Sequence, residues 1–114
     1  MPLEIAESKT GSATLLRLKG TMVIGKDPEL VTARVQSLLE AGTTRIILEM
    51  GEVAYLDSTG ISALVRCHIC ASRRGAAVKL LHLSRRVNEV LQITRLSSVL
   101  EIYDDQEKVL ASFN

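Results

Sequence analysis

The sequence predicts an α/β domain built on a largely parallel sheet, and three observations carry that expectation. Apolar runs of strand length recur along the chain, and the segments between them space their apolar residues three and four apart, as one face of a helix does. Those helical segments carry start and stop residues, among them Asp27-Pro28, Gly42 and Gly75. No repeat, low-complexity stretch or linker interrupts the 114 residues, a length suited to one domain over 1–114.

Leu3 to Glu7 and Ala13 to Lys19 read as two strands around the polar turn 8–12, a hairpin. Asp27-Pro28 offers an N-cap and a first-turn proline to a helix whose Val31, Val35, Leu38 and Leu39 form one stripe, and Gly42 ends it as a left-handed cap. Arg45 to Met50 is an internal strand covered on at least one face. A turn at Gly51-Glu52 and a second short run, Val53 to Leu56, follow it.

Ile61, Leu64, Val65 and Ile69, with His68 beside them, have helical spacing. That helix runs to Arg73-Arg74, whose charges suit its negative end, and Gly75 stops it. Ala77 to Leu83 is the next buried strand, and Ser84 caps a short helix with Val87, Val90, Leu91 and Thr94 on one face. Val99 to Tyr103 is the last strand, and Asp104 to Phe113 a last helix begun by acids. The order β-β-α-β-α-β-α-β-α calls for an α/β fold.

Composition narrows the function. Apolar residues are 46% and charged residues 24%, which is globular rather than disordered. Aromatics are 3%, only Tyr55, Tyr103 and Phe113, which counts against a stacking platform for single-stranded nucleic acid. A net charge of +1 offers no global field to draw nucleic acid or a membrane surface. No apolar run approaches the roughly 20 residues that cross a bilayer, and Met1-Pro2-Leu3-Glu4 has no pattern of a secretion signal. A soluble cytoplasmic protein without direct nucleic-acid or membrane partners is expected. Charge is nevertheless uneven: residues 66–95 hold Arg66, Arg73, Arg74, Lys79, Arg85, Arg86 and Arg95 against Glu89 alone. That basic third is either a docking face for something acidic or a set of solvated helix ends.

The most informative segment is Tyr55-Leu56-Asp57-Ser58-Thr59-Gly60-Ile61, where a strand ends and a helix begins within two or three residues. Asp57 or Ser58 can cap that helix, which by itself explains the segment as capping chemistry. Two other readings compete. A phosphate-accepting Asp57 of a receiver domain would need acidic metal ligands after the first strand and a late lysine, but the early strand ends in Gly20-Thr21 and the lysine is lacking. The other is that Ser58 itself is modified.

Here the chain resembles the STAS-domain anti-sigma factor antagonists. The resemblance rests on Leu18-Lys19-Gly20, the run Ile46-Ile47-Leu48-Glu49-Met50, the signature Leu56-Asp57-Ser58-Thr59-Gly60-Ile61, Gly75 before the next strand, and the stretch Leu83 to Leu96. It implies a four- to five-stranded mixed, mainly parallel sheet with about four helices stacked mainly on one side. It implies a protein that is no enzyme and needs no cofactor. The unphosphorylated form would bind an anti-sigma factor that is also a serine kinase. Phosphorylation at Ser58, less readily at Thr59, would switch it off, and a metal-dependent serine phosphatase would reverse the mark. Asp57, Ser58, Thr59 and Gly60 would form part of the partner surface. Where many relatives carry an acidic loop after the second strand, this chain reads Gly20-Thr21-Met22-Val23-Ile24-Gly25-Lys26-Asp27. A constitutive STAS scaffold in a larger signalling or lipid-transport complex is the alternative.

Met22, Val23 and Ile24 are expected to join the partner surface, because three consecutive large apolar residues cannot all face one side of an extended chain. Their alternative is to continue the strand into the core. Cys67 and Cys70, with His68 and His82, are the four soft metal-ligand candidates. Cysteines two to three turns inside a helix lack the activating N-terminus of a redox pair, so structural thiols are expected, with no metal site. A Ser58 nucleophile with His68 or His82 as base is disfavoured, since Leu56 stands where a hydrolase elbow needs glycine. Incubation with activated esters is expected to show no turnover that Ser58→Ala removes.

Overall fold

The computed structural model describes residues 3–113; Met1 and Pro2, which entered the secretion-signal reading, and Asn114 lie outside the described residues. The hairpin forms as the sequence indicates, with longer strands. β1 (Glu4–Thr10) and β2 (Ala13–Met22) pair antiparallel, Thr10 opposite Ala13. Gly11 takes the positive φ (59°) that a two-residue hairpin loop favours. Helix α1 (Glu29–Glu40) follows, but Asp27 does not cap it. Asp27 adopts a left-handed φ of 56° and Pro28 occupies the cap position. A residue before proline is steered away from the right-handed helical region, and aspartate tolerates the left-handed one. At the other end Gly42 (φ 93°) makes the expected turn, its N–H donating to Leu39 O and the Thr43 N–H to Leu38 O.

The expected break at Gly51-Glu52 is absent. β3 is one strand, Arg45–Leu56, parallel to β2. Its register shifts twice: Arg17 pairs with Glu49 but Lys19 with Glu52, and Gly20 pairs with Val53 but Thr21 with Tyr55. Each shift puts one extra residue on β3, so the apparent turn is a bulge. Glu49 supports it by accepting the Gly51 N–H at 2.7 Å.

Helix α2 (Ser58–Arg73) ends at Gly75 in the same cap as α1, with Gly75 N–H to Ser72 O and Ala76 N–H to Ala71 O. β4 (Ala77–Leu81) and the short β5 (Ile102–Tyr103) continue the parallel part of the sheet, in the order β1-β2-β3-β4-β5. Between them α3 (Arg85–Ile93) is capped by the Ser84 hydroxyl, and a 3-10 turn (Leu96–Ser98) precedes the segment Val99 to Tyr103 that the sequence reads as strand. Arg95 at φ 62° enters that turn and leaves Val99 half exposed, so only Ile102 and Tyr103 pair. Helix α4 (Gln106–Ala111) is begun by Asp105, which accepts the Glu107 and Lys108 N–H groups.

The period-2 alternation of the strands gives the sheet two buried faces. Leu16, Leu18, Ile46, Leu48 and Leu80 meet Val31 and Val35 of α1, Leu64 and Cys67 of α2, and Val87 and Leu91 of α3. On the opposite face Leu15, Ile47 and Leu81 meet Val109 of α4. Among the described residues, three helices therefore cover one face of a five-stranded mixed sheet and one covers the other.

The stripe assigned to α2 is divided by the structure. Its buried residues are Gly60, Ala63, Leu64, Cys67 and Ala71, whereas Ile69 is 43% exposed and Ile61 and Val65 are half-buried. Small side chains let the helix approach closely, and Gly60 is the extreme case. A Cβ there would lie 2.1 Å from the Met22 carbonyl oxygen and 2.8 Å from the Leu56 and Met22 Cβ atoms. Two of those obstacles lie on the strand that α2 must approach, so Gly60→Ala has to push the helix start off the sheet. Overpacking of this kind costs about 3 kcal/mol, or roughly 10–20 °C in Tm for a domain of this size. Calorimetry of Gly60→Ala checks it, and an unchanged Tm would disprove the close approach.

Candidate functional site

The site forms where the parallel strands β2 and β3 end and α2 begins. Ligand sites of parallel sheets lie at this carboxyl end of the strands. β2 ends at Met22 and β3 at Leu56, paired side by side. The Asp57 N–H then donates to the Met22 carbonyl at 3.2 Å, stitching the turn to the neighbouring strand.

Asp57, in extended backbone, caps α2. Its Oδ1 accepts the Thr59 N–H at 2.9 Å, the Gly60 N–H at 3.3 Å and the Thr59 hydroxyl at 2.5 Å. Its Oδ2 accepts the Ile24 N–H at 2.9 Å, from the loop after β2. The Thr59 hydroxyl and then the Ile24 N–H hold the carboxyl well below its ordinary range, at about 2, against a smaller opposing effect of desolvation. Asp57 is therefore an anion in every physiological condition. Its role as a latch for the 23–26 loop is not legible in the sequence, because nothing local links Ile24 to a carboxylate 33 residues on.

Ser58, the first residue of α2, is exposed, and no hydrogen bond holds its hydroxyl among the described residues. Thr59 differs: its hydroxyl is committed to Asp57, so it faces the helix start. N–H groups at a helix start can receive a phosphate, but those of Thr59 and Gly60 beside Ser58 are already engaged by Asp57. Ser58 stands where two hollows meet, one between α1 and α2 beside Pro28 and Thr32, the other along α2 toward Leu96.

The apolar loop separates into two environments. Met22 is 0% exposed in the main core as the last residue of β2, so its expected place on the partner surface is corrected. Val23 is half-buried, and Ile24 is 77% exposed. Met22 continues the inward series of Leu16 and Leu18 along β2, whereas Val23 and Ile24 lie past the end of the strand, in the loop.

The remaining candidates are not brought together. Cys67 is buried, and burial pushes its thiol up to about 12, so it is inert; Cys70 is half-buried. Among the described residues no three His, Cys, Asp or Glu side chains converge as a metal site. His82 lies across the sheet with its Nδ1 3.8 Å from Glu49, and His68 is ten residues along α2 from Ser58, so neither is placed as its base. Among the described residues no helix is long and apolar enough to cross a membrane. Sequence reasoning passed over two further features: Arg86 stacks on the Tyr55 ring at 4.7 Å, and an exposed flank of α2 leads away from Ser58.

The model of the STAS domain matches residues 4–109, and the chain belongs to that family. No curated protein sequence matches it. Among solved structures, a Thermotoga maritima protein described as an anti-sigma factor antagonist is similar with a TM-score of 0.86 and 21% identity, over 95% of this chain and 92% of that one. The Bacillus cell fate determinant SpoIIAA in its phosphorylated form is similar with a TM-score of 0.71 and 18% identity, over 97% of this chain and 100% of that one. A sulfate transporter family protein from Wolinella succinogenes has a TM-score of 0.72 and 23% identity, over 90% of this chain and 85% of that one. At such identities the likeness is one of fold.

The latch has a pH signature. A carboxyl near 2 when folded and near its ordinary 3.8 when unfolded stabilises the fold fully above about pH 4. That contribution is lost as pH falls from about 4 through 2. Asp57→Asn should flatten this part of the acid-unfolding curve, and carboxyl NMR of the wild type should place the Asp57 midpoint near 2. A midpoint at the ordinary value would mean that the Thr59 and Ile24 bonds are not held in solution.

Proposed function

We propose that this chain is an anti-sigma factor antagonist, a cytoplasmic binding module without catalysis or cofactor of its own, that regulates transcription by partner switching. Its unphosphorylated form binds an anti-sigma factor that is also a serine kinase. Phosphorylation at Ser58 releases that partner, and a metal-dependent serine phosphatase resets the module. The observation that carries this reading is the Ser58 hydroxyl, exposed at the first residue of α2 and unused by a turn whose polar bonds Asp57 already completes. The fold likeness to SpoIIAA, whose structure is described as phosphorylated, supports it.

A phosphate on Ser58 adds about −1.5 to −2 charges beside the Asp57 anion. Repulsion turns it outward, into the space a partner fitted to a hydroxyl would occupy. Burying such a charge without a counter-ion costs about 3 kcal/mol, roughly a hundredfold in affinity, with no refolding needed. Asp57, Thr59 and Gly60 shape the surface around it, and Val23 and Ile24 extend it.

Ser58→Ala is expected to bind the anti-sigma factor and escape the switch, while Ser58→Glu binds poorly with native circular dichroism. Titration calorimetry of the wild type with and without stoichiometric phosphate on Ser58 decides the matter. Equal affinities would leave the alternative, a constitutive STAS scaffold, which the likeness to a sulfate transporter family protein favours. Ile24→Glu should weaken binding about tenfold and leave Tm almost unchanged, since the side chain is 77% exposed.

A further inference from the structure

The exposed flank of α2 is an open groove running from Ser58 toward the helix C-terminus. Ile61, Val65 and Ile69, spaced by four, form one ridge along it, and Leu96 of the 3-10 turn lines it as well. Arg66 and Arg73 line it beside Ser62 and Cys70; both arginines are exposed, and neither is in an ion pair among the described residues. No acidic side chain lines the groove. We propose that this groove docks an acidic amphipathic helix of the protein partner, its apolar face on Ile61, Val65, Ile69 and Leu96 and its carboxylates on Arg66 and Arg73.

Three features select that occupant. An apolar strip flanked by cations is complementary to an apolar strip flanked by anions. A helix flank has no free sheet edge to pair with an extended peptide, so the occupant must satisfy its own backbone, as a helix does. The sixteen residues of α2 extend about 24 Å, enough for a facing helix of four turns whose ridges enter the i, i+4 grooves. The link to Ser58 rests on the proposed partner switch: a phosphate there would place negative charge at one end of the groove, against the carboxylates of the occupant. Docking itself does not rest on it.

The probe is a sixteen-residue helical peptide with leucines on one face flanked by glutamates, titrated by fluorescence anisotropy into the whole chain. A version with lysines for glutamates and one broken by a central proline are the controls. The acidic peptide should bind, more weakly as salt rises, and both controls should fail. Arg66→Glu with Arg73→Glu should weaken binding by roughly tenfold, as should Ile69→Glu, all with native circular dichroism. Bound peptide should shield the half-buried Cys70 from alkylation, while buried Cys67 stays unreactive throughout.

Absence of binding, equal binding of the lysine peptide, or indifference to the arginine changes overturns the proposal. A dimer that Ile69→Glu abolishes overturns it too, by placing a second copy in the groove. An anti-sigma factor that Ser58 phosphate releases, but that the double arginine variant binds at full affinity, would sink the groove and leave the switch. Selective peptide binding that ignores Ser58→Glu would support docking and count against the switch.

Discussion

Asp57 accepts hydrogen bonds from three pieces of backbone and gives one to a fourth, and the functional end of the molecule is arranged around those bonds. One carboxylate oxygen caps α2 through Thr59 and Gly60, the other draws in Ile24, and the Asp57 N–H reaches the Met22 carbonyl. The same Met22 carbonyl is the atom a side chain at position 60 would strike. Cap, loop and helix approach are thus one constraint: an aspartate that holds the turn closed and a glycine that lets it close. Ser58 is exposed beside a cap whose polar bonds Asp57 completes, and Ile24 is exposed in the loop past the buried end of β2 at Met22.

The opposite face of the sheet shows a second arrangement. Lys79, 5% exposed on β4, donates to the Ser112 carbonyl at 3.0 Å and its hydroxyl at 2.9 Å, lies 3.3 Å from Glu101, and sits 4.5 Å from the centre of the Phe113 ring. A buried ammonium is tolerated only with such a full set of partners. A cation under the last turn of α4 also suits the negative end of that helix. The short α4 is therefore fastened by polar bonds as well as by Val109. The strand ends that carry Asp57 and Ser58 are left clear of it, and α1 and α2 frame them instead.

Element order was legible because each helix has local punctuation: Gly42, Gly75, Ser84 and the acids before α4 do what their chemistry suggests. The cap at Asp57 was legible for the same reason. The failures share a different cause. Gly51-Glu52 reads as a turn because a bulge and a turn use the same residues, and only pairing with β2 distinguishes them. Asp27 reads as a cap, but a following proline decides its backbone first. Ile69 reads as core because its spacing is right, yet the burial of α2 is set by its smallest residues, which let the helix approach. Met22 could be placed only by knowing that β2 runs past Lys19, which its pairing with β3 decides. Register and close packing are long-range properties, and no window of sequence contains them.

The rigidity of this turn bears on how a modification there could act. A phosphate at a helix start usually finds free N–H groups and can remodel or strengthen the terminus. Here Asp57 occupies the Thr59 and Gly60 N–H groups, and its carboxyl near 2 keeps it charged wherever the protein works. A phosphate would have to displace an anion already held by four hydrogen bonds. It would therefore stand outside the turn, on the exposed side of Ser58, and change what the surface presents rather than how the chain folds. With Asp57 far from its titration range, the pH response of that surface near neutrality would come from the phosphate itself, whose second ionisation lies at about 6. A turn completed by its own aspartate is thus suited to carry a reversible charge without passing strain to the core.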